Sequence, residues 1–227
     1  IPRNIRITST TLTKNPAWYQ IGAQLKNAFE LKCCDHVYMS DCVLEYGGVS
    51  EGQAAYLIVL TVRNQDGGAV WSRVTDVVIE RCLCRYGGGA VNFLGHDDQY
   101  PSGSLDGVVI RNCKFTGLNP QGLWSQGGFW GAGRGVLFNN QPKNVTMEAI
   151  TMEGDSMTAL GYFANSPQQP TGLVLKNWSY FQSEYGWKID DGGLDIPPAS
   201  ANLQALMPDL VYSITDHDPG AAGFPQR

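Results

Sequence analysis

The densest group of reactive side chains in the sequence is His96-Asp97-Asp98. A histidine beside two carboxylates can work as a general acid/base pair, and Asp97 with Asp98 supplies hard oxygen ligands suited to Ca²⁺. The same two aspartates also suit a structural task, capping the turn that leads into Tyr100-Pro101-Ser102-Gly103. Arg63 and Asp66 share a second polar loop, where Arg63 is a candidate base and the two together a candidate ion pair that organises the loop. Lys188 and Asp190 flank Ile189 at the entrance to a third, Gly-supported turn. The candidate catalytic set is therefore His96, Asp97, Asp98 and Arg63. Asn92, Asp66, Asn139, Lys188 and Asp190 are candidate substrate contacts, and Trp71, Trp124 and Trp130, with Phe129, offer flat apolar faces for stacking or for packing their own loops.

These residues are compatible with more than one chemistry. A polysaccharide lyase needs a base, often Arg or Lys, and a cation to acidify the proton beside a uronate carboxylate; Arg63 and Lys188 are the candidates for that base. A glycoside hydrolase needs two carboxyl groups, about 5.5 Å apart for retention or roughly 6.5–9.5 Å for inversion. Asp66, Asp97 and Asp98 are the candidates for that pair. A non-catalytic glycan-binding adhesin, or a phage-type receptor-binding spike, would use the same polar and aromatic surface without turnover. A spike of that kind would show an outward apolar seam, for which Val59 and Leu137 are candidates. No phosphate-binding loop of the Gly-x-x-x-x-Gly-Lys type is present, so nucleotide chemistry has no support.

The positions of these residues follow from a repeated phrase. Two apolar residues alternate with polar ones, two positions intervene, and two more apolar residues alternate. The phrase starts at Ile5, Val37, Val77, Val108, Val145 and Leu173, with a degraded copy at Leu210. In the second copy it reads Val37, Met39, Cys42, Leu44, and in the fourth Val108, Ile110, Cys113, Phe115. Alternation of period two is the mark of a strand with one buried face. The two-residue gap is a corner, often at Asn or Asp, as at Asp41, Asn112 and Asn177. A third strand follows in each copy, as in Phe29 to Leu31, Val91 to Phe93 and Val136 to Phe138, and nothing helical is expected between strands. Coils of three short strands stacking at about 4.8 Å predict a solenoid of roughly six to seven coils, on the order of 30 Å long. Loops leaving corresponding corners then emerge along the same edge. The outward residues of the third strand, among them Glu30, Lys32, Asn92 and Lys188, floor a groove between two loop walls.

Segments such as Val77-Val-Ile-Glu-Arg-Cys-Leu-Cys and Val108-Val-Ile-Arg-Asn-Cys-Lys-Phe resemble coils of the right-handed parallel β-helix superfamily that includes pectate lyases. Asn27-Ala-Phe-Glu-Leu-Lys, Thr61-Val-Arg-Asn-Gln-Asp-Gly and Asn92-Phe-Leu-Gly-His-Asp-Asp resemble bacterial β-helix repeat proteins. The resemblance implies an all-β, right-handed parallel β-helix across nearly the whole chain; it speaks for fold, and the expectation of a glycan-active protein, a polysaccharide lyase or glycoside hydrolase first, rests on the groove. The loops lack the basic cluster of a pectate-lyase site and the Gly-His-Gly of a polygalacturonase.

Composition bounds the remaining possibilities. The 27 glycines, 12 prolines and only 16% charged residues fit many turns joining short buried strands. A net charge of −5 argues against nucleic acid as a partner, and no run of 18 apolar residues predicts membrane insertion. The expected partner is a polysaccharide or surface glycan and the expected location extracellular or periplasmic, with Ca²⁺ as the one cofactor candidate. Residues 1–227 read as a single β-helix domain with coils missing upstream, and 192–227 as an irregular capping tail. Cys42, Cys82 and Cys113 occupy the same slot of successive copies. Their side chains should point in parallel, so a buried ladder of free thiols is expected rather than disulfides.

Overall fold

The computed structural model describes residues 1–50, 53–122, 133–164, 169–180, 183, 185–189, 194–196 and 211–213. The described chain is all-β. Its strands form a ten-stranded sheet, a seven-stranded sheet and a small hairpin of Val49–Ser50 with Gln53–Ala54. Both large sheets are parallel except at one edge, where Leu194–Ile196 adds antiparallel to Tyr185–Ile189. Parallel sheets built from such short strands are consistent with a β-solenoid.

The repeated phrase sets the register. In the ten-stranded sheet Ile5 pairs with Val37, Val37 with Val77, Val77 with Val108 and Val108 with Val145. Two residues on, Ile7, Met39, Ile79, Ile110, Met147 and Leu175 make a second column. The degraded seventh copy appears as Val211–Ser213, whose Val211 pairs with Val174; Leu210 itself lies outside the described residues. In the seven-stranded sheet the inward column runs Leu31, Leu60, Phe93, Phe138, Phe163. Burying these columns against one another removes the apolar area that drives folding, about 25 cal/mol per Å². Phe93, Phe138, Phe163 and Trp187 form a continuous pile, with ring centroids 5.1, 5.2 and 5.5 Å apart. Gly161 sits in that interior because the Trp187 ring occupies its side-chain space; an added Cβ would lie 1.9 Å from a ring carbon.

The corners have a common backbone solution. Asp41, Arg81, Asn112, Ala149 and Asn177 all adopt positive φ between 52° and 56°. Asn and Asp take this conformation readily, whereas Arg81 and Ala149 are held there by the stacked register at a cost of about 1–2 kcal/mol each. A second set of left-handed residues, His36, Asp76 and Asn144, precedes the strands' buried columns. Asn144 and Asn177, both within glycosylation-type sequons, are therefore corner residues of the backbone.

Two local features depart from the sequence reading. A one-turn helix, Ala17–Gln20, lies between strands where nothing helical was expected. Asn15 accepts a hydrogen bond from the Ala17 amide at 3.0 Å, and Pro16 presets φ at −63° for the first turn. In Tyr56–Thr61 the alternation slips after Ala55 (φ 59°), so that Leu57 and Ile58 both enter the interior. Tyr56 is thereby turned outward, where it packs in a cluster with Val59 and Leu137, against Tyr162 and Ala164.

All six cysteines are free, and all but Cys33 are buried. The Cys42, Cys82 and Cys113 thiols each donate to the carbonyl two residues earlier, at 3.2–3.3 Å. Burial pushes the Cys34 thiol up to about 11, with Cys33 and Asp35 adding to the shift, and pushes Cys84 well above the ordinary thiol range. On the outer face of the ten-stranded sheet, charges join successive strands. Asp35 receives Arg73, Thr75 and Arg3, and Glu80 receives Tyr38, Arg81 and Arg111.

Candidate functional site

Three neighbouring strands of the seven-stranded sheet, Phe29–Leu31, Tyr56–Thr61 and Gly89–Leu94, run parallel and end on the same side. The residues just beyond their ends meet in an open cleft of about 280 Å³, lined by Lys32, Arg63, Gln65, Asp97, Asp98 and Gln99. Stacking brings these residues together across intervals of more than thirty positions.

Gly95 launches the loop that carries the aspartates. The backbone after the neighbouring strand, Asn140–Pro142, passes so close that an added Cβ would lie 2.0 Å from the Asn140 carbonyl oxygen. The Gly95 amide donates to Asn139 O at 2.8 Å. Asn140 then fixes the loop's first residue, its side chain donating to His96 O at 3.2 Å. His96 itself turns along the loop, with Nδ1 2.9 Å from Asp97 O. It is not among the residues that line the cleft.

Asp97 and Asp98 are adjacent in sequence and opposite in environment. The Asp97 side chain is 2% exposed. Its Oδ1 accepts from the amides of Gln99 and Tyr100, and its Oδ2 from the amide of Asn64, all at 2.9 Å. Burial opposes its charge, but those three amides and the Arg63 guanidinium, 3.8 Å away, outweigh burial and hold the carboxyl below the ordinary aspartate range. Asp97 is thus a fixed anion that ties the 63–69 loop to the 96–103 loop. The tie is doubled by Asn64, whose side chain donates to Pro101 O and accepts from the Ala69 amide, both at 2.6 Å. Asp98 is 49% exposed and takes the Arg63 Nη1 at 2.5 Å.

Arg63 therefore pairs with the aspartates that follow the neighbouring parallel strand, Gly89–Leu94, and not with Asp66, which stands exposed in the turn after Gln65. A partner 35 positions away wins because stacking places it directly across the cleft, whereas the turn carries Asp66 outward. Lys32 makes an ion pair with Glu30 at 3.5 Å. Among the described residues no group of three or more His, Cys, Asp or Glu side chains is arranged to hold a metal ion.

The other candidates lie along the outer face of the sheet or at its margin. Asn92 sits between Val59 and Leu137 in register, and its buried Oδ1 accepts no hydrogen bond. Asn139 pairs with Leu94, and Lys188 with Tyr162. Trp71 is 55% exposed and does not line the cleft; the next residue, Ser72, donates to the Lys32 carbonyl at 3.3 Å. Asp190, Trp124, Phe129 and Trp130 lie outside the described residues.

Sequence reasoning missed Gln65, Gln99 and Tyr100, since amides and a tyrosine in polar loops carry no periodic signal. It also missed Arg134, whose guanidinium lies 3.8 Å over the Tyr162 ring on the outer face of the sheet. Beside it is Tyr56, whose hydroxyl is buried near Arg134 without a well-formed hydrogen bond. Gly48-Val49-Ser50-Glu51-Gly52 has the letters of a nucleophile elbow. Val49–Ser50, however, is a strand paired with Gln53–Ala54 and not a strand-to-helix turn. No protein-family model, curated protein or solved structure matches the chain.

Proposed function

We propose that this chain is a right-handed parallel β-helix of about six to seven coils, three short strands to a coil, that recognises a glycan outside the cytoplasm. The reading rests on one observation above all: the open cleft at the ends of the Phe29–Leu31, Tyr56–Thr61 and Gly89–Leu94 strands, where Lys32, Arg63, Gln65, Asp98 and Gln99 line a single concavity. Sugars present many hydroxyl groups that both donate and accept. A bed of amides, a carboxylate and cations answers them on both counts.

Recognition is better supported than turnover. Asp97 has both oxygens engaged by amides, and Arg63 is already engaged by two carboxylates. A second reading, polysaccharide lyase or glycoside hydrolase, is favoured by the half-exposed Asp98 sharing the cleft with Lys32.

The test is a panel of neutral and acidic polysaccharides offered to the whole protein with and without Ca²⁺, following binding, unsaturated-product absorbance and reducing ends. Binding without product supports recognition. Absorbance that depends on Ca²⁺ selects a lyase, and reducing ends alone select a hydrolase. If no glycan binds, the proposal fails.

A further inference from the structure

We infer that the cleft takes a neutral glycan, with Tyr100 as the platform for a sugar ring and the Asp98–Arg63 pair as the reader of its hydroxyls. This rests on the glycan-binding reading above and names the class of ligand.

The charges decide the class. The lining holds two cations, Lys32 and Arg63, against two carboxylates, Asp97 and Asp98. Neither cation is spare: Arg63 is bound to Asp98 at 2.5 Å and lies 3.8 Å from Asp97, and Lys32 is paired with Glu30 at 3.5 Å. An acidic sugar entering here would bring a further carboxylate beside Asp97 and Asp98, and Asp97, buried and tied by three amides, cannot move aside. The incoming carboxylate would then face a fixed like charge at short range in a poorly solvated wall. A neutral sugar meets no such opposition. Its hydroxyls can donate to Asp98 and accept from Arg63 without breaking the pair, and Gln65 and Gln99 each offer a donor and an acceptor. Arg134, which lies over the Tyr162 ring, stands near the opposite ends of the strands. It is seven residues from Arg63 by register through Tyr56, roughly 23 Å along a strand, and does not alter the balance in the cleft.

Next to the polar lining stands an exposed aromatic ring that is not itself part of that lining. Tyr100 follows the lining residue Gln99 and lays its ring over Gly67, two residues from the lining Gln65. It remains 42% exposed. Asn64 locks this wall from both sides through Pro101 O and the Ala69 amide, so the ring is pre-set before any ligand arrives. A sugar ring has an apolar C–H face and a polar rim, and an aromatic wall next to a charge-balanced polar floor matches both.

The experiment is calorimetric titration of the whole protein with neutral oligosaccharides (β-glucan, mannan and xylan series) and with oligouronates of equal length, at low and high salt. The expected result is a neutral ligand bound at least ~10-fold more tightly than any oligouronate, with an affinity that salt leaves nearly unchanged. Tyr100→Ala and Asp98→Asn should each weaken that ligand about tenfold while leaving the melting temperature near that of the parent. An oligouronate bound as tightly or more tightly, with steep loss at high salt, overturns the inference and leaves glycan recognition standing. Neutral binding indifferent to Tyr100→Ala overturns the assigned platform. Failure of every glycan to bind overturns recognition itself, and this inference with it.

Discussion

Replacing Asp97 by Asn separates its structural role from a chemical one, and the geometry gives the size of the effect. The substitution keeps the shape but leaves one carbonyl oxygen where there were two acceptors. If that oxygen stays with the Gln99 and Tyr100 amides, the new NH₂ faces the Asn64 amide, donor against donor. An orphaned buried donor costs about 1–3 kcal/mol. The two surviving bonds also lose their charge assistance, about 1 kcal/mol more. The expected loss is ~3 kcal/mol, which in a chain of this size lowers the melting temperature by about 6–12 °C. Asp98→Asn, at a half-exposed ion pair, should stay within ~1 kcal/mol of the parent. Urea unfolding at neutral pH, followed by tryptophan fluorescence, measures both. Acid supplies an independent check. The folded Asp97 carboxyl titrates below its unfolded value, so its contribution is complete above the ordinary aspartate range and disappears as pH falls through the folded value. The gap between parent and Asp97→Asn should therefore narrow as pH drops below about 4. An Asp97→Asn protein as stable as the parent would refute the three-amide assignment and return Asp97 to the list of candidate acids.

Other perturbations test the framework that carries the cleft. Gly161→Ala forces a methyl into the Trp187 ring and should cost about 1–3 kcal/mol or more, read as a lowered urea midpoint together with altered tryptophan emission. Phe138→Ala, removing the ring between Phe93 and Phe163, should cost roughly 3–5 kcal/mol in the same assay; a loss below ~1 kcal/mol would contradict the continuous pile. Glu80 is held down to about 2, chiefly by hydrogen bonds from Tyr38 and Arg111, with Arg81 assisting against burial. Its contribution to stability is full above the ordinary glutamate value and fades as pH falls towards 2. Glu80→Gln should therefore lower stability at neutral pH and flatten the acid limb of the stability curve in that window.

The apolar columns were legible because each buried position repeats with period two, and stacking rewards keeping the same slot in every copy. The corners were legible at Asp41, Asn112 and Asn177, whose side chains tolerate positive φ, and hidden at Arg81 and Ala149, where the neighbours impose it. At the cleft the chemical residues could be named, but not their partners. Arg63 and Asp66 are close in sequence, yet the pairing that forms is Arg63 with Asp98, because the distance that counts is between coils. The slip at Leu57 was hidden for a related reason: Leu57 and Ile58 are both apolar, and only the Ala55 backbone turn puts both inside.

The thiols have a use that follows from where they stop. Cys34, Cys42, Cys82, Cys84 and Cys113 are buried, while Cys33 is partly accessible and serves as the internal comparison. A buried thiol reacts with an alkylating reagent only when its own coil separates from its neighbours, so labelling rates time the local breathing of the molecule. The column ends at Cys113. The thiols thus time the opening of the strands from Cys34 to Cys113 and of Lys143–Gly154, whose Ile150 stacks on Cys113, without any engineered label.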